Sequence, residues 1–469
     1  MDGFLKYIPK IREQGVTVEL IESLINDHSE DHKRMEHLYR RYKAAHDDGV
    51  PIFDRSPADY KTDDMKGVAR LDNKVNNKLN NSFDSDIVDT KVGYMYGHPI
   101  SYSVVDGSDT WKKEVQNFLL RGNTEDQDAE CGKMATICGY GARLAYIDAD
   151  GQPSIECIDP WNAIFIGHDI TQPEYALYYY DLDGYSYREF YDGEIVYFFS
   201  NVSGQLAPYD PDGKGAVRAH MFQYVPLIGI PNNKELMGDA ERVLSLIDAY
   251  DRTLSDANNE IEQYRLAYLV LKGIGMDDET LAKVKKSGVW ELLGDDEDVK
   301  YLTKDVNDEL IEHHLDRLEQ NILRFAKSVN FGDEEFAGNQ SGVSLKFKIL
   351  ALENKCTTAE RKFTSALRYQ FKVLCSAWAI KGLCGPEDYL KVNFQFTRNL
   401  PPDILSDAQA TAQLQGRVSE KTRLSLLPFI TDPEAEMEEM QKEKDEYAQN
   451  MPPIDQNQSQ TKQNEGREE

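Results

Sequence analysis

Two stretches of this sequence repeat apolar residues at alternating spacings of three and four, and they constrain the fold more than any other feature. In the first, Leu236, Ala240, Val243, Ile247, Tyr250, Leu254, Ala257, Ile261, Tyr264 and Tyr268 form one continuous seam. In the second, Ile311, Leu315, Leu318, Ile322, Phe325 and Val329 do the same. Residues spaced this way share one face of an α-helix, and a seam sustained over several turns needs a partner along its length. The spacing predicts helices over 235–268 and 306–329, with Ile247, Leu254, Ile261, Leu315, Leu318 and Ile322 as packing positions. Between them, 269–305 carries Gly273, Gly275, Gly288 and Gly294, which interrupt regular structure. Two long helices flanking a small insert make a stalk with a tip.

The rest of the chain reads as α+β and mainly helical. Thr17 is placed to cap a helix over 17–46, on which Leu20, Leu24, His28, Met35, Leu38 and Tyr42 recur at helical spacing. His28, His32 and His37 stand on it without a convergent carboxylate set, so they read as helix face rather than metal ligands. A loop covers 47–70. A second helix covers 82–97 and is stopped by Gly97-His98-Pro99, and Ile100 to Val105 alternates as a strand. Over 130–230, tyrosines and β-branched residues cluster between the turn pairs Asp150-Gly151, Asp183-Gly184 and Asp192-Gly193, which predicts short hairpins. Tyr178, Tyr179 and Tyr180 read there as strand packing rather than as a base-stacking platform. Residues 330–342 are polar and glycine-rich, hence a loop. Residues 343–381 form a helix with eight Lys or Arg against Glu353 and Glu360. A strand over 392–397 and helices over 403–450 follow, with Ser419 and Asp432-Pro433 as helix starts. Residues 451–469 are too polar to bury a core and are expected to be disordered.

Composition excludes several function classes. The formal charge is -29, so a tight grip on nucleic-acid phosphates, which needs Lys and Arg to displace counterions, is not expected. A conduit through which DNA slides is compatible with that charge. The six cysteines are scattered without a CxxC pair, which fits reduced thiols rather than a zinc site or disulfide framework. No signal peptide is expected from Met-Asp-Gly-Phe-Leu-Lys, and no apolar run approaches the ~18 residues that a membrane span needs. There is no P-loop, no His-Glu-x-x-His and no Gly-x-Ser-x-Gly. Gly139-Tyr-Gly141 continues to Leu144 where a dinucleotide fingerprint wants a small residue. The run Asp295-Asp296-Glu297-Asp298 lacks the spacing and central glycine of a calcium loop. No catalytic residue, metal or cofactor is expected.

The stretch Asn73-Lys-Val-Asn-Asn-Lys-Leu-Asn-Asn-Ser-Phe-Asp-Ser-Asp-Ile-Val-Asp-Thr-Lys-Val-Gly-Tyr-Met-Tyr-Gly-His-Pro-Ile100 resembles the portal proteins of tailed double-stranded-DNA phages, the siphophage family of Gram-positive hosts. Four further stretches agree in order: Asn232 to Gly273, Phe336 to Phe347, Phe394 to Pro401, and Val418 to Asp432. The resemblance implies a non-enzymatic, ring-forming subunit, typically one of twelve, at the capsid vertex through which genomic DNA is packaged and ejected. It implies a wing (1–234 and 343–402), a stem (235–268 and 306–329), a clip (269–305), a channel loop (330–342) and a crown (403–450). In the channel loop, Asp333, Glu334, Glu335, Asn339, Gln340 and Ser341 are the residues expected to face DNA. The implied partners are further copies of the chain, DNA in transit, the terminase large subunit, a head–tail adaptor, and the major capsid and scaffolding proteins, in a virion assembled in the host cytoplasm with no membrane. The rival reading is an oligomeric capsid adaptor or scaffold that never touches DNA. An axial hole ~25–40 Å wide, scaled from the dimensions of B-DNA and its grooves, would separate the two.

Overall fold

The computed structural model describes residues 2–55, 76–264, 268–272, 298–302, 308–332, 346–400, 411–427, 430 and 433–450. The chain is about 52% helical with 16% strand, the strands in several small sheets, so it is α+β as its sequence suggests. It divides into two compact units, Met1–Tyr94 with Val104–Asn393, and Met95–Ser103 with Phe394–Glu469.

In chain order, short helices α1 (Asp2–Leu5) and α2 (Ile8–Gln14) precede the long α3 (Val18–Tyr42). Thr17 starts α3 as predicted, its side-chain oxygen accepting from Leu20 N at 3.3 Å and satisfying one of the amides that a helix start leaves without partners. Helix α4 (Phe83–Tyr96), strand β1 (Ser101–Val104), and helices α5 (Asp109–Arg121) and α6 (Thr124–Cys138) follow. The predicted hairpin region then supplies β2 (Tyr140–Ile147), β3 (Pro153–Ile158), β4 (Ala163–Ile166), β5 (Tyr175–Leu182), β6 (Tyr185–Tyr191), β7 (Ile195–Ser200), β8 (Ala207–Pro208), β9 (Val217–Ala219) and β10 (Leu227–Pro231). Its first residues are an exception: 130–138 complete α6 and are not strand. Strands β4 to β8 form an antiparallel meander with β9 also on β7, and β10, β2 and β3 form a separate three-stranded sheet in that spatial order. Asp183 and Gly184 both take positive φ between β5 and β6, the two-residue turn whose twist suits a hairpin.

Helix α3 spans two cores. Near its start, Ile21 and Leu24 pack with Ile164, Leu177, Phe190 and Phe199 of the meander. Further along, Met35 and Leu38 share a core with Ile137, Ala142 and Leu227 of α6 and the three-stranded sheet. The glycines of the failed nucleotide fingerprint have a packing role here. Gly139 ends α6 with φ +98, and a Cβ on it would lie 2.0 Å from the Leu236 carbonyl oxygen; a Cβ on Gly141 would lie 2.5 Å from the Cys131 carbonyl oxygen.

The remaining elements are α7 (Leu244–Tyr264), β11 (Tyr268–Lys272), β12 (Asp298–Leu302), α8 (Asp308–Ala326), α9 (Leu350–Ile380) and β13 (Val392–Gln395). Strands β11 and β12 pair antiparallel, Tyr268 opposite Leu302. Helix α9 is basic by composition yet apolar on its buried face, where Phe371 and Trp378 meet Phe118 of α5 with ring centroids 6.2 and 5.7 Å apart.

The first apolar seam is shorter as a helix than its spacing predicts. Leu236 has φ +56, and α7 begins only at Leu244. Residues 232–240 instead wrap the end of α6: Asn232 N donates to the Gly139 carbonyl and Asp239 N to the Thr136 carbonyl, both at 2.9 Å. Carbonyls at a helix end need such donors. Leu236 and Ala240 keep the apolar spacing because both pack into cores from a loop. At the far end, Tyr268 belongs to β11 rather than to the helix.

In the second unit, β1 pairs with β13, and the rings of Tyr102 and Phe394 meet edge to face at 5.6 Å. Helix α10 (Glu420–Leu424) is capped by Ser419, which accepts from Thr422 N at 3.3 Å, and α11 (Pro433–Asn450) starts at the predicted proline. The expected tail, 451–469, lies outside the described residues.

Candidate functional site: the α7–α8 helix pair

The two seams are buried most deeply at one end. Ile247 of α7 and Leu318 and Ile322 of α8 are buried, and Ile247 and Ile322 join Ile87, Val243 and Ala326 in one cluster. Leu254 and Leu315 are half-buried. At the far end Ile261 is 63% and Leu310 of α8 64% exposed; Phe325, 57% exposed, lies at the root beside buried Ala326. The predicted packing positions therefore divide into three that the chain covers, two that it half covers, and one that it leaves open.

What α7 buries beyond Ile247 is polar. Asp251, Ser255 and Asn259 are all buried, and they hold the extended segment 76–82. Asn81 N donates to Asp251 Oδ1 at 3.0 Å, Leu79 N to Ser255 Oγ at 2.9 Å and Asn77 N to Asn259 Oδ1 at 2.7 Å. The Asn81 and Asn77 amides donate to the same two oxygens, each at 2.9 Å. The register works because four residues of helix rise about 6.0 Å and two residues of extended chain about 6.6–6.8 Å. Every second amide of the segment thus meets every fourth residue of the helix. Side-chain oxygens take the place that a neighbouring strand would fill, which satisfies amides that cannot be buried without partners.

Ion pairs anchor the root of the pair. Arg41 of α3 bonds both oxygens of Asp84 at 3.0 and 3.1 Å and Asp248 at 2.8 Å, tying α3, α4 and α7. Lys91 of α4 and Lys355 of α9 reach the buried Asp239 at 3.3 and 3.0 Å, and Asn232 donates to its other oxygen at 2.7 Å. Burial pushes the Asp239 carboxyl up, but the two ammonium groups and the amide outweigh it and hold it at about 2. Lys355 also donates to the Ala326 carbonyl at the end of α8, at 2.8 Å. A cleft of about 300 Å³ opens beside this cluster, lined by Asp239, Arg242, Lys327 and Lys355 among others.

The predicted DNA-facing residues Asp333, Glu334, Glu335, Asn339, Gln340 and Ser341 lie outside the described residues. Apolar spacing also missed the polar stripe Asp251–Ser255–Asn259 and the anchors Arg41, Asp84, Lys91 and Asp239. Its signal was present: three short polar residues at i, i+4 and i+8, and an asparagine-rich stretch with amides to satisfy. Among the described residues, no helix is long and apolar enough to cross a membrane.

Residues 21–450 match the family described as phage portal protein, SPP1 Gp6-like. The portal protein of Bacillus phage SPP1 is 24% identical over 397 residues, which covers 81% of this chain and 78% of the relative. The portal protein of Clostridium phage phiCD119 is 25% identical over 390 residues, covering 76% and 83%. The match runs through the asparagine-rich segment, both seam helices and the basic helix α9, and with it the chain belongs to the phage portal protein family.

Proposed function

We propose that copies of this chain, twelve in the family's pattern, close into a ring at the capsid vertex around a channel for double-stranded DNA. In this reading α7 and α8 are the stem and β11–β12 is part of the clip. Residues 330–342 face the channel, and the sheets with α3 and α9 are the wing. The clip side meets the terminase large subunit and a head–tail adaptor; the outer surface meets the capsid and scaffolding proteins. The chain itself has no catalytic step, since the ATP-driven motor is a separate protein.

The observation that carries the reading is the open end of the α7–α8 pair. Covering a large aliphatic side chain stabilises by about 1.5–3 kcal/mol, and Ile261 and Leu310 leave that gain to a neighbour. A ring covers them on every subunit at once, because a head-to-tail interface that closes repeats itself. The net charge of -29 suits a lining from which phosphates must detach. Electron microscopy of the purified protein tests this. Rings with an axial hole wide enough for duplex DNA are expected; linear or closed assemblies would sink the reading. Deleting 333–340 should leave rings intact and impair DNA packaging, while replacing Asp333, Glu334 and Glu335 with Lys should make DNA binding tighter and strongly salt-dependent.

A further inference from the structure

Two cysteines with no part in this channel reading meet where α6 packs on β2 and β3. Cys131, in the middle of α6, is buried; Cys157, on β3, is half-buried. Gly141 makes the approach possible, since a Cβ there would lie 2.8 Å from the Cys131 sulfur. The Cys131 thiol donates to the Ala142 carbonyl at 3.8 Å and the Cys157 thiol to the carbonyl of Gln127, one turn before Cys131 on α6, at 3.0 Å, and each thiol shifts the proton affinity of the other. Arg143 is the cross-strand neighbour of Cys157, and its Nη2 lies 3.9 Å from the Cys157 sulfur. That guanidinium is fixed by the Gln127 carbonyl and by Gln370 Oε1, each at 2.8 Å, and by Asp128 at 2.9 Å.

We propose that Cys131 and Cys157 are a redox-active dithiol site, which a hydroperoxide converts to a disulfide joining α6 to β3. Cys157 attacks as the thiolate. A sulfur–oxygen bond forms, the peroxide O–O bond breaks, and the hydroxide released takes up the proton that Cys157 lost. Cys131 then attacks the resulting sulfenic sulfur; the S–S bond forms, the S–O bond breaks, and the oxygen leaves as water with the Cys131 proton. In sum, two thiols lose two electrons and one hydrogen peroxide becomes two waters.

The roles follow from the surroundings. The neighbouring Cys131 thiol and the charge of Arg143 lower Cys157 to about 7, against its burial and Asp128, while the Cys157 thiol and burial push Cys131 well up. Protonated, Cys157 donates to the Gln127 carbonyl at 3.0 Å; ionised, it faces the Arg143 guanidinium 3.9 Å away. A thiolate with partial access and a resolving thiol in contact is the arrangement that oxidants select. Cys384 and Cys375 are also close, the Cys384 thiol donating to the Cys375 carbonyl at 3.8 Å, but the charged neighbour there is Asp388, which disfavours a thiolate.

Peptide mapping of the full chain after treatment with hydrogen peroxide and alkylation tests the site. The Cys131–Cys157 disulfide should form ahead of any Cys375–Cys384 disulfide. Cys157→Ser should abolish it, and Cys131→Ser should halt at a sulfenic acid on Cys157 that dimedone captures. Mapping of the unaltered chain decides the matter even where a variant fails to fold. Cys131 and Cys157 remaining thiols under peroxide that joins Cys375 to Cys384 would overturn the proposal, and so would a dimedone label on Cys131 in place of Cys157.

Discussion

In the sheet core, Leu177, Phe190, Leu227, Phe363 and Trp378 are all buried to 1% exposure or less by partners within the chain. Along the α7–α8 pair, Ile247 and Ile322 match them, but one to four turns away Ile261 and Phe325 are more than half exposed. The charges follow the same division. Arg143 and Asp128 form an ion pair inside the core with almost no solvent access, whereas His313 and Glu309 of α8 pair at 72% and 85% exposure. The core gathers its stabilisation when one chain folds. The helix pair gathers part of it then, at the root, and in the proposed ring the rest would come from neighbours. The difference separates what a residue does for folding from what it does for assembly, and substitutions can take the two apart.

The largest effect is expected at Arg143. Arg143→Ala withdraws the guanidinium from buried Asp128, and breaking a buried pair from one side costs about 3–5 kcal/mol. Urea unfolding should show it as a large drop in midpoint. Glu309→Ala on the open helix should shift the midpoint by under about 0.5 kcal/mol, since exposed pairs contribute little. Equal losses would erase the distinction between the regions.

A somewhat smaller effect should appear with pH. His28 of α3 is buried with its Nδ1 2.8 Å from the Tyr179 hydroxyl, and burial, opposed only by Asp31, lowers its pKa to about 4. In the unfolded chain it titrates near its ordinary value. Between the two, the unfolded state holds a proton that the folded state does not, so stability falls as pH drops from about 6.5 to 4, by roughly 3 kcal/mol in all. His28→Gln should remove that acid-side loss. An unchanged pH profile would mean that the core accepts the charge.

The polar stripe on α7 should respond more weakly and locally. Ser255→Ala removes the acceptor of Leu79 N, a loss of about 1 kcal/mol for a partly buried hydrogen bond. Hydrogen exchange should quicken at the 77–81 amides while the sheet core stays protected. Faster exchange throughout the core instead would show that the segment holds the whole fold and not only α7.

These residues also show what could be read without a structure. Ile247, Leu318 and Ile322 were legible because apolar spacing reports helical packing directly. The caps at Thr17 and Ser419 were legible because a hydroxyl before a helix has a local task. Asp251, Ser255 and Asn259 were not. By polarity they read as solvent-facing, and only a segment some 170 residues earlier decides that they are buried. Leu236 misled for the reverse reason: its spacing fits the seam, but its backbone leaves the helical region to wrap α6. Arg41, Lys91 and Asp239 were invisible because buried charges are chosen by partners that are distant in sequence.

The smallest folding effect, and the one that bears most on assembly, is expected at Ile261. It sits near the far end of α7 with Glu260 and Glu262 beside it, and it is 63% exposed in the single chain. Ile261→Ser therefore removes little buried surface, and the unfolding midpoint should move by under about 0.5 kcal/mol, the range of surface substitutions. If a neighbouring subunit covers this position, the same change subtracts a buried aliphatic contact from every interface of the ring. Sedimentation velocity should then show a shift from rings to smaller species at a concentration where the unaltered chain is assembled. Because the loss recurs at each interface around a closed ring, a modest deficit per contact becomes a large one for closure. Rings that stay intact with Ile261→Ser, alongside an unchanged midpoint, would place the subunit interface elsewhere on the chain and leave the open end of the helix pair without that explanation.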